Sequence, residues 1–302
     1  MKSGSRLRKG QEVVCLTAFA PSVIKRLDQR FVVVSLLLWL VPVSTVYSAT
    51  GMDMPGMDME AAASYEKLSK EQLLEILSRS SEAAPANLYS KDLTGLDLSG
   101  VNFRRANLTA SLMNRANLSK ADLSYSNLTV SFAEGANLSH ANLQGAMMFS
   151  MQLKGADLTG ANLSGARFIG DLRGANLQGA NMTKIDGAVD TKNQSMGLMR
   201  ASIISANLQG ADLSGADFSK ADFSFSTLTG VNLTGAKLFN ADLSGADFSS
   251  ANLSHANLRE AKIIDTDFTG ADLTDADFTG AEFRGVKGLD KARTEKAKGL
   301  PH

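Results

Sequence analysis

The chain has 302 residues, 44% of them hydrophobic and only 6% aromatic, enough length for two ordinary globular domains. Lys plus Arg and Asp plus Glu both number 31, and a formal net charge of zero speaks against direct nucleic-acid binding or strong attraction to a membrane surface. The one cysteine, Cys15, excludes a disulfide framework, and its flanks Val13-Val14-Cys15-Leu16 lack the small residue that precedes a lipidated cysteine.

Lys25, Arg26 and Arg30 lead into an apolar run over residues 31–46, followed by Tyr47-Ser48-Ala49. A basic region, a short apolar core and small residues at a cut site resemble a secretory signal peptide. The run is short for a bilayer span. Residues 1–49 are therefore read as a cleaved signal, with a membrane anchor through 31–46 as the alternative. Either form places the protein in an exported, periplasmic or lumenal compartment, with contact to the membrane only through an uncleaved leader. The long stretch before Arg26 also raises a translation start further downstream.

Residues 50–67 form a Met-rich linker. Met52, Met54, Met57 and Met59 are weak candidates for Cu(I) ligands, because soft thioethers select that ion. No His or Cys joins them, so the plain linker is the preferred reading and no cofactor is expected.

Residues 68–85 carry a helix start. Ser69 and Gln72 stand at capping-box spacing, and Leu68 and Leu73 at the spacing of a hydrophobic staple. The helix is expected to cap the N-terminal end of a repeat region that begins at residue 86, since an open stack of repeats exposes apolar core and unpaired edge.

From 86 to 288 the sequence advances in fives, most regularly in Ala206-Asn207-Leu208, Ala211-Asp212-Leu213, Ala216-Asp217-Phe218 and Ala221-Asp222-Phe223. A step of five turns an α-helix by about 140°, which scatters the leucines around the cylinder. In a straight strand it sends them to alternating faces. Only a chain that bends once per repeat points every Leu or Phe, and the small residue two before it, at a common axis. Such repeats bury their apolar side by stacking on their neighbours.

These residues resemble the pentapeptide-repeat family, whose pattern is Ala-Asp/Asn-Leu-x-x. The resemblance implies an all-β fold, a right-handed quadrilateral β-helix with four repeats per coil. Positions twenty apart should then stack, as the columns Leu213, Leu233, Leu253, Leu273 and Leu208, Leu228, Phe248, Phe268 allow. Three irregularities are expected. Phe132 and Ala133 break the chemistry and suggest a bulge. Leu172 follows Phe168 by four residues, and residues 183–197 lack the motif and read as an extruded loop. Residues 289–302 read as a C-terminal helical cap or tail.

No catalytic constellation emerges, and the chain is read as a non-enzyme. His140 and His255 fall in outward slots several coils apart. Ser, Asp and Asn are abundant because the repeat uses them, and a core of Leu, Phe and Ala leaves no interior pocket. The expected function is a protein-binding scaffold whose partner is another protein, with a homodimer left open. Residues 198–283 hold twelve acids against five bases, whereas 87–170 hold seven bases against five acids. That acidic half fits a second reading. Quinolone-resistance members of the family are similar in having an acidic rod with loops, which implies a DNA mimic that engages type II topoisomerase. A third reading is a periplasmic copper-handling protein that uses the methionines.

Overall fold

The computed structural model describes residues 65–188 and 200–301, which belong to one compact unit, Ala63–His302; the other unit, Met1–Ala62, lies outside the described residues. The leader and the Met-rich linker up to residue 64 are therefore outside them as well.

The unit begins with β1 (Glu66–Lys67) and α1 (Lys70–Ser78), and β1 pairs in parallel with β2 (Lys91–Asp92). Ser69 is the N-cap of α1. Its hydroxyl accepts from Gln72 N–H at 3.3 Å, while the Gln72 carboxamide accepts from Ser69 N–H at 2.8 Å, which satisfies two otherwise unpaired amides. Leu68 and Leu73, on either side of the cap, are both buried.

From Asn87 onward the backbone forms parallel bridges between residues twenty apart: Asn87 with Asn107, Asp92 with Leu112, Asp97 with Asn117, Asn102 with Asp122. Four bridge columns thus recur per coil. Within each repeat the amides go in both directions along the stack. Leu213 N–H donates forward to the Asn232 carbonyl at 2.7 Å, and Asp212 N–H donates back to Ala180 at 2.9 Å. A turn closes each side, as when Ala216 N–H donates to the Leu213 carbonyl at 3.0 Å. The turns end on residues of positive φ. Gly215 (φ 64°) holds that position at no steric cost, and Lys220 (φ 65°) holds it in the following repeat at some.

The inward slots alternate a small residue and a large one, Ala211 with Leu213 and Ala216 with Phe218, all buried. Residues twenty apart stack directly. Phe248 and Phe268 lie face to face, ring centroids 5.5 Å apart and planes 16° apart.

Four irregularities locate differently from the sequence reading or gain a cause. No bulge occurs at Ala133, because Phe132 bridges both Leu112 and Gln152 at the regular spacing. The smaller side chain changes the volume of the core there and leaves the backbone ladder alone. The bulge lies instead between β3 (Met147–Gln152) and β4 (Arg167–Asp171). Phe149 pairs with Ile169 and Gln152 with Asp171, so two residues oppose Gly170 alone. A Cβ on Gly170 would overlap the Met151 carbonyl, so glycine is what lets the strands approach.

The interruption expected at 183–197 begins later. Asp186 bridges Arg167 on one side and Asp217 on the other, and Ile185 is buried, so residues 183–188 belong to the coil. The motif is hidden because Gly187 occupies a leucine slot. The Phe218 ring from the next coil fills the space that its side chain would need. Residues 189–199 lie outside the described residues, and the ladder resumes with Asp171 against Ser202.

The C-terminal segment is not a helical cap. It holds a single 3-10 turn, Leu289–Lys291, after which Arg293 bridges Asp272 and Lys298 bridges Asp277. The register lengthens by one residue at Gly288 (φ 72°), and the coil continues beyond β5 (Lys262–Ile264) and β6 (Glu282–Arg284).

Candidate interaction surface

With the interior filled, chemistry is confined to three outward slots of each repeat: the residue before the large apolar one, and the two turn residues after it. The first slot holds mostly Asp and Asn, for a local reason. Its side-chain Oδ1 accepts from the backbone N–H two residues on, from Ser224 to Asp222 at 3.0 Å and from Thr274 to Asp272 at 3.0 Å. The same side chains bond up and down the stack. Asn162 donates through Nδ2 to Asn142 Oδ1, and Asn142 to Asp122 Oδ1, each at 3.1 Å.

The acidic excess of the later coils is partly cancelled by vertical pairing. Lys237 lies 3.2 Å from Asp217, Lys262 3.1 Å from Asp242, Arg293 3.2 Å from Asp272, and Arg200 2.6 Å from the buried Asp222. The bonds also tune the acids. Hydroxyl and amide donation from Thr94 holds Asp92 below its usual range, and Thr274 and Thr279 do the same for Asp272 and Asp277. Burial pushes Asp217, Asp242 and Asp247 upward. Donation from Ser219, Ser244 and Ser249, helped by Lys237, Lys262 and Thr229, outweighs it and leaves all three lowered.

His140 and His255 are exposed and separate. The His140 ring lies over Gly160, and His255 Nδ1 is 3.8 Å from Asp275. Among the described residues no group of three or more His, Cys, Asp or Glu could hold a metal, and no buried side-chain polar atom lacks a partner. Met52, Met54, Met57 and Met59 fall outside the described residues.

Apart from the break noted at Phe132, the sequence reading missed where the repeat gives up its polar exterior. Leu112, Phe132 and Met147 occupy first slots that in most repeats hold Asp or Asn, and Met147 is 52% exposed. Phe225 sits at a positive-φ turn position over Gly245, 67% exposed. Tyr125 lies over Gly145, with the guanidinium carbons of Arg104 and Arg105 5.1 and 5.8 Å from its ring centre. Reading the repeat slot by slot, rather than for its leucines, would have exposed all of these.

A stack of parallel five-residue strands with these outward columns is a repeat β-solenoid. The model of pentapeptide repeats matches eight copies over residues 86–124, 116–150, 152–186, 198–235, 216–254 and 251–287, more than half of the chain. The chain belongs to the pentapeptide-repeat family. No curated relative matches it. Among solved structures it is similar to HetL, a pentapeptide repeat protein involved in heterocyst differentiation regulation from the cyanobacterium Nostoc sp. strain PCC 7120. That match has 28% identity, covers 78% of this chain and 100% of that one, and has a TM-score of 0.37. Full-length QnrB1, a plasmid-mediated fluoroquinolone resistance protein, matches at 22% identity over 65% and 92% of the two chains, with a TM-score of 0.34. A pentapeptide repeat protein from the Arabidopsis thaliana thylakoid lumen matches at 24% over 56% and 68%, with a TM-score of 0.20.

Proposed function

We propose that this is a non-enzymatic, exported pentapeptide-repeat protein that serves as a protein-binding scaffold. Its coils form a right-handed quadrilateral β-helix, closed at the N-terminal end by α1. The observation that carries the functional reading is the use of the polar side chains. The Asp and Asn of the first slots are engaged in their own turns and in bonds to adjacent coils, so they act as framework and leave flat outer faces as the working surface. Four bridge columns per coil support the quadrilateral geometry. The β1–β2 pair and the burial of Leu68 and Leu73 in the same core support the capping role.

Export is supported by the basic and apolar pattern over residues 25–49. The test combines fractionation with N-terminal sequencing of the protein from its native cell, followed by photocrosslinking from outward slots on each face. Processing near Ala49 and a defined protein adduct from one face are the expected results. A cytoplasmic, unprocessed chain that crosslinks to nothing from any face defeats the reading.

A second reading, a DNA mimic that engages type II topoisomerase, draws on the acidic coils after residue 200. Vertical pairing of Asp217, Asp242 and Asp272 weakens that charge, and so we rank it below the scaffold. Protection of gyrase supercoiling by the purified protein would reverse the order.

A further inference from the structure

One face of the solenoid departs from the repeat's polar pattern. Along it the first slots read Leu112, Phe132 and Gln152 in successive coils. Leu and Phe offer no oxygen to the turn amides that Asp or Asn would accept from. In the Phe132 repeat the deficit is made good from the previous coil, where Asn114 Oδ1 accepts from Glu134 N–H at 2.9 Å. Both apolar side chains are only partly buried in the monomer, whereas the inward residues beside them, Met113 and Ala133, are fully covered. The adjoining corner carries Thr129 and Phe149, both partly buried, and Val130, which is buried; the exposed Met147 lies beyond it, and none of these is charged. On the opposite edge of the face stand Arg115, Glu134 and Lys154, again in successive coils.

We propose that this face is a self-association surface, occupied by the same face of a second copy running antiparallel. A two-fold axis lying in the contact plane, between the Phe132 and Gln152 coils, inverts the order of coils and keeps each edge against its own kind. Glu134 of each copy then meets Lys154 of the other, and Phe149 meets Thr129. Asn114 comes opposite Arg173, whose charge is already cancelled by Asp171 at 2.5 Å, and Arg115 stands one turn position further on. The apolar columns are covered and both unlike charge pairs form. Four coils at about 4.8 Å and a face roughly 15 Å wide give on the order of 300 Å² per copy. Stable complexes use about 800 Å² per partner. The pair is therefore a weak one, populated at high protein concentration. It does not depend on the scaffold reading, since a chain without any other partner can still pair.

Sedimentation velocity of the full chain across a concentration series is the test. The wild type should shift from monomer toward dimer as concentration rises. L112N/F132N, which restores the residue most repeats carry, should weaken association at least tenfold while holding or raising the thermal midpoint. E134K should weaken it several-fold, and E134K/K154E, which exchanges the two charges, should recover it. Association that persists unchanged in L112N/F132N, as it would if residues 31–46 carried it, overturns the proposal. So does a wild type that stays monomeric throughout, or a charge exchange that fails to restore what E134K lost.

Discussion

At Asp247 a single carboxylate closes its own turn and ties two coils together. Its Oδ1 accepts from Ser249 N–H at 2.8 Å and from the Ser249 hydroxyl at 2.5 Å, and Oδ2 accepts from Thr229 Oγ1 at 2.9 Å. Asn keeps the essential acceptor and Ala removes it. D247N should therefore change stability little, whereas D247A should cost about 1–2 kcal/mol in urea unfolding. This exchangeability is why the sequence writes Asp or Asn indifferently in the first slot, and why that slot was legible as a structural position. It was equally the reason that Leu112 passed unnoticed and that Phe132 was read only as the sign of a bulge. A reading tuned to the inward leucines has no expectation for the residue beside them.

At the level of elements, α1 and the bulge make separate demands. S69A removes one half of the reciprocal cap and should lower the stability of the Lys70–Ser78 segment by about 1 kcal/mol, visible as faster amide exchange there. In the bulge, G170A forces a new methyl against the Met151 backbone and should cost about 1–3 kcal/mol. G155A, at a turn with open space around it, should cost less than that, because only its φ of 63° resists substitution. The capping box was readable because its signal is local, two residues three apart. The limits of the interruption were not, because Gly187 fills a leucine slot and only Phe218, thirty-one residues later, shows that the slot is still inward. The C-terminal coil escaped for a similar reason. One extra residue at Gly288 destroys the five-residue rhythm in the sequence while the backbone bonds carry on.

For the whole stack, stability is a sum over coils and their contacts. Removing residues 232–251, one full coil, joins Val231 to Asn252 in the same slot order. The shortened chain should keep its β dichroism and unfold cooperatively within a few degrees of the parent. Removing eighteen residues instead leaves two that must bulge or loop out at the junction, and should lower the midpoint by more than the full-coil deletion does. Acid should act on the stack as a whole. Asp92, Asp217, Asp242, Asp247, Asp272 and Asp277 are all lowered in the folded protein. A depressed carboxylate stabilises fully above its unfolded value near 3.9 and loses that contribution as pH falls through the folded one. Urea midpoints should be flat from pH 7 to about 5 and decline below about 4. A midpoint that rises on acidification would contradict the pairing described for these acids.

The bridges from Asp171 to Ser202 and from Asp186 to Asp217 step over residues 189–199 without altering the stack on either side. Hydrogen bonding between coils is thus blind to how much chain intervenes. The junction from Ala188 to Arg200 becomes a natural docking port for engineering: a fluorophore, a tag or an entire foreign domain spliced there would be carried at a fixed height along the solenoid, leaving the host's melting behaviour untouched.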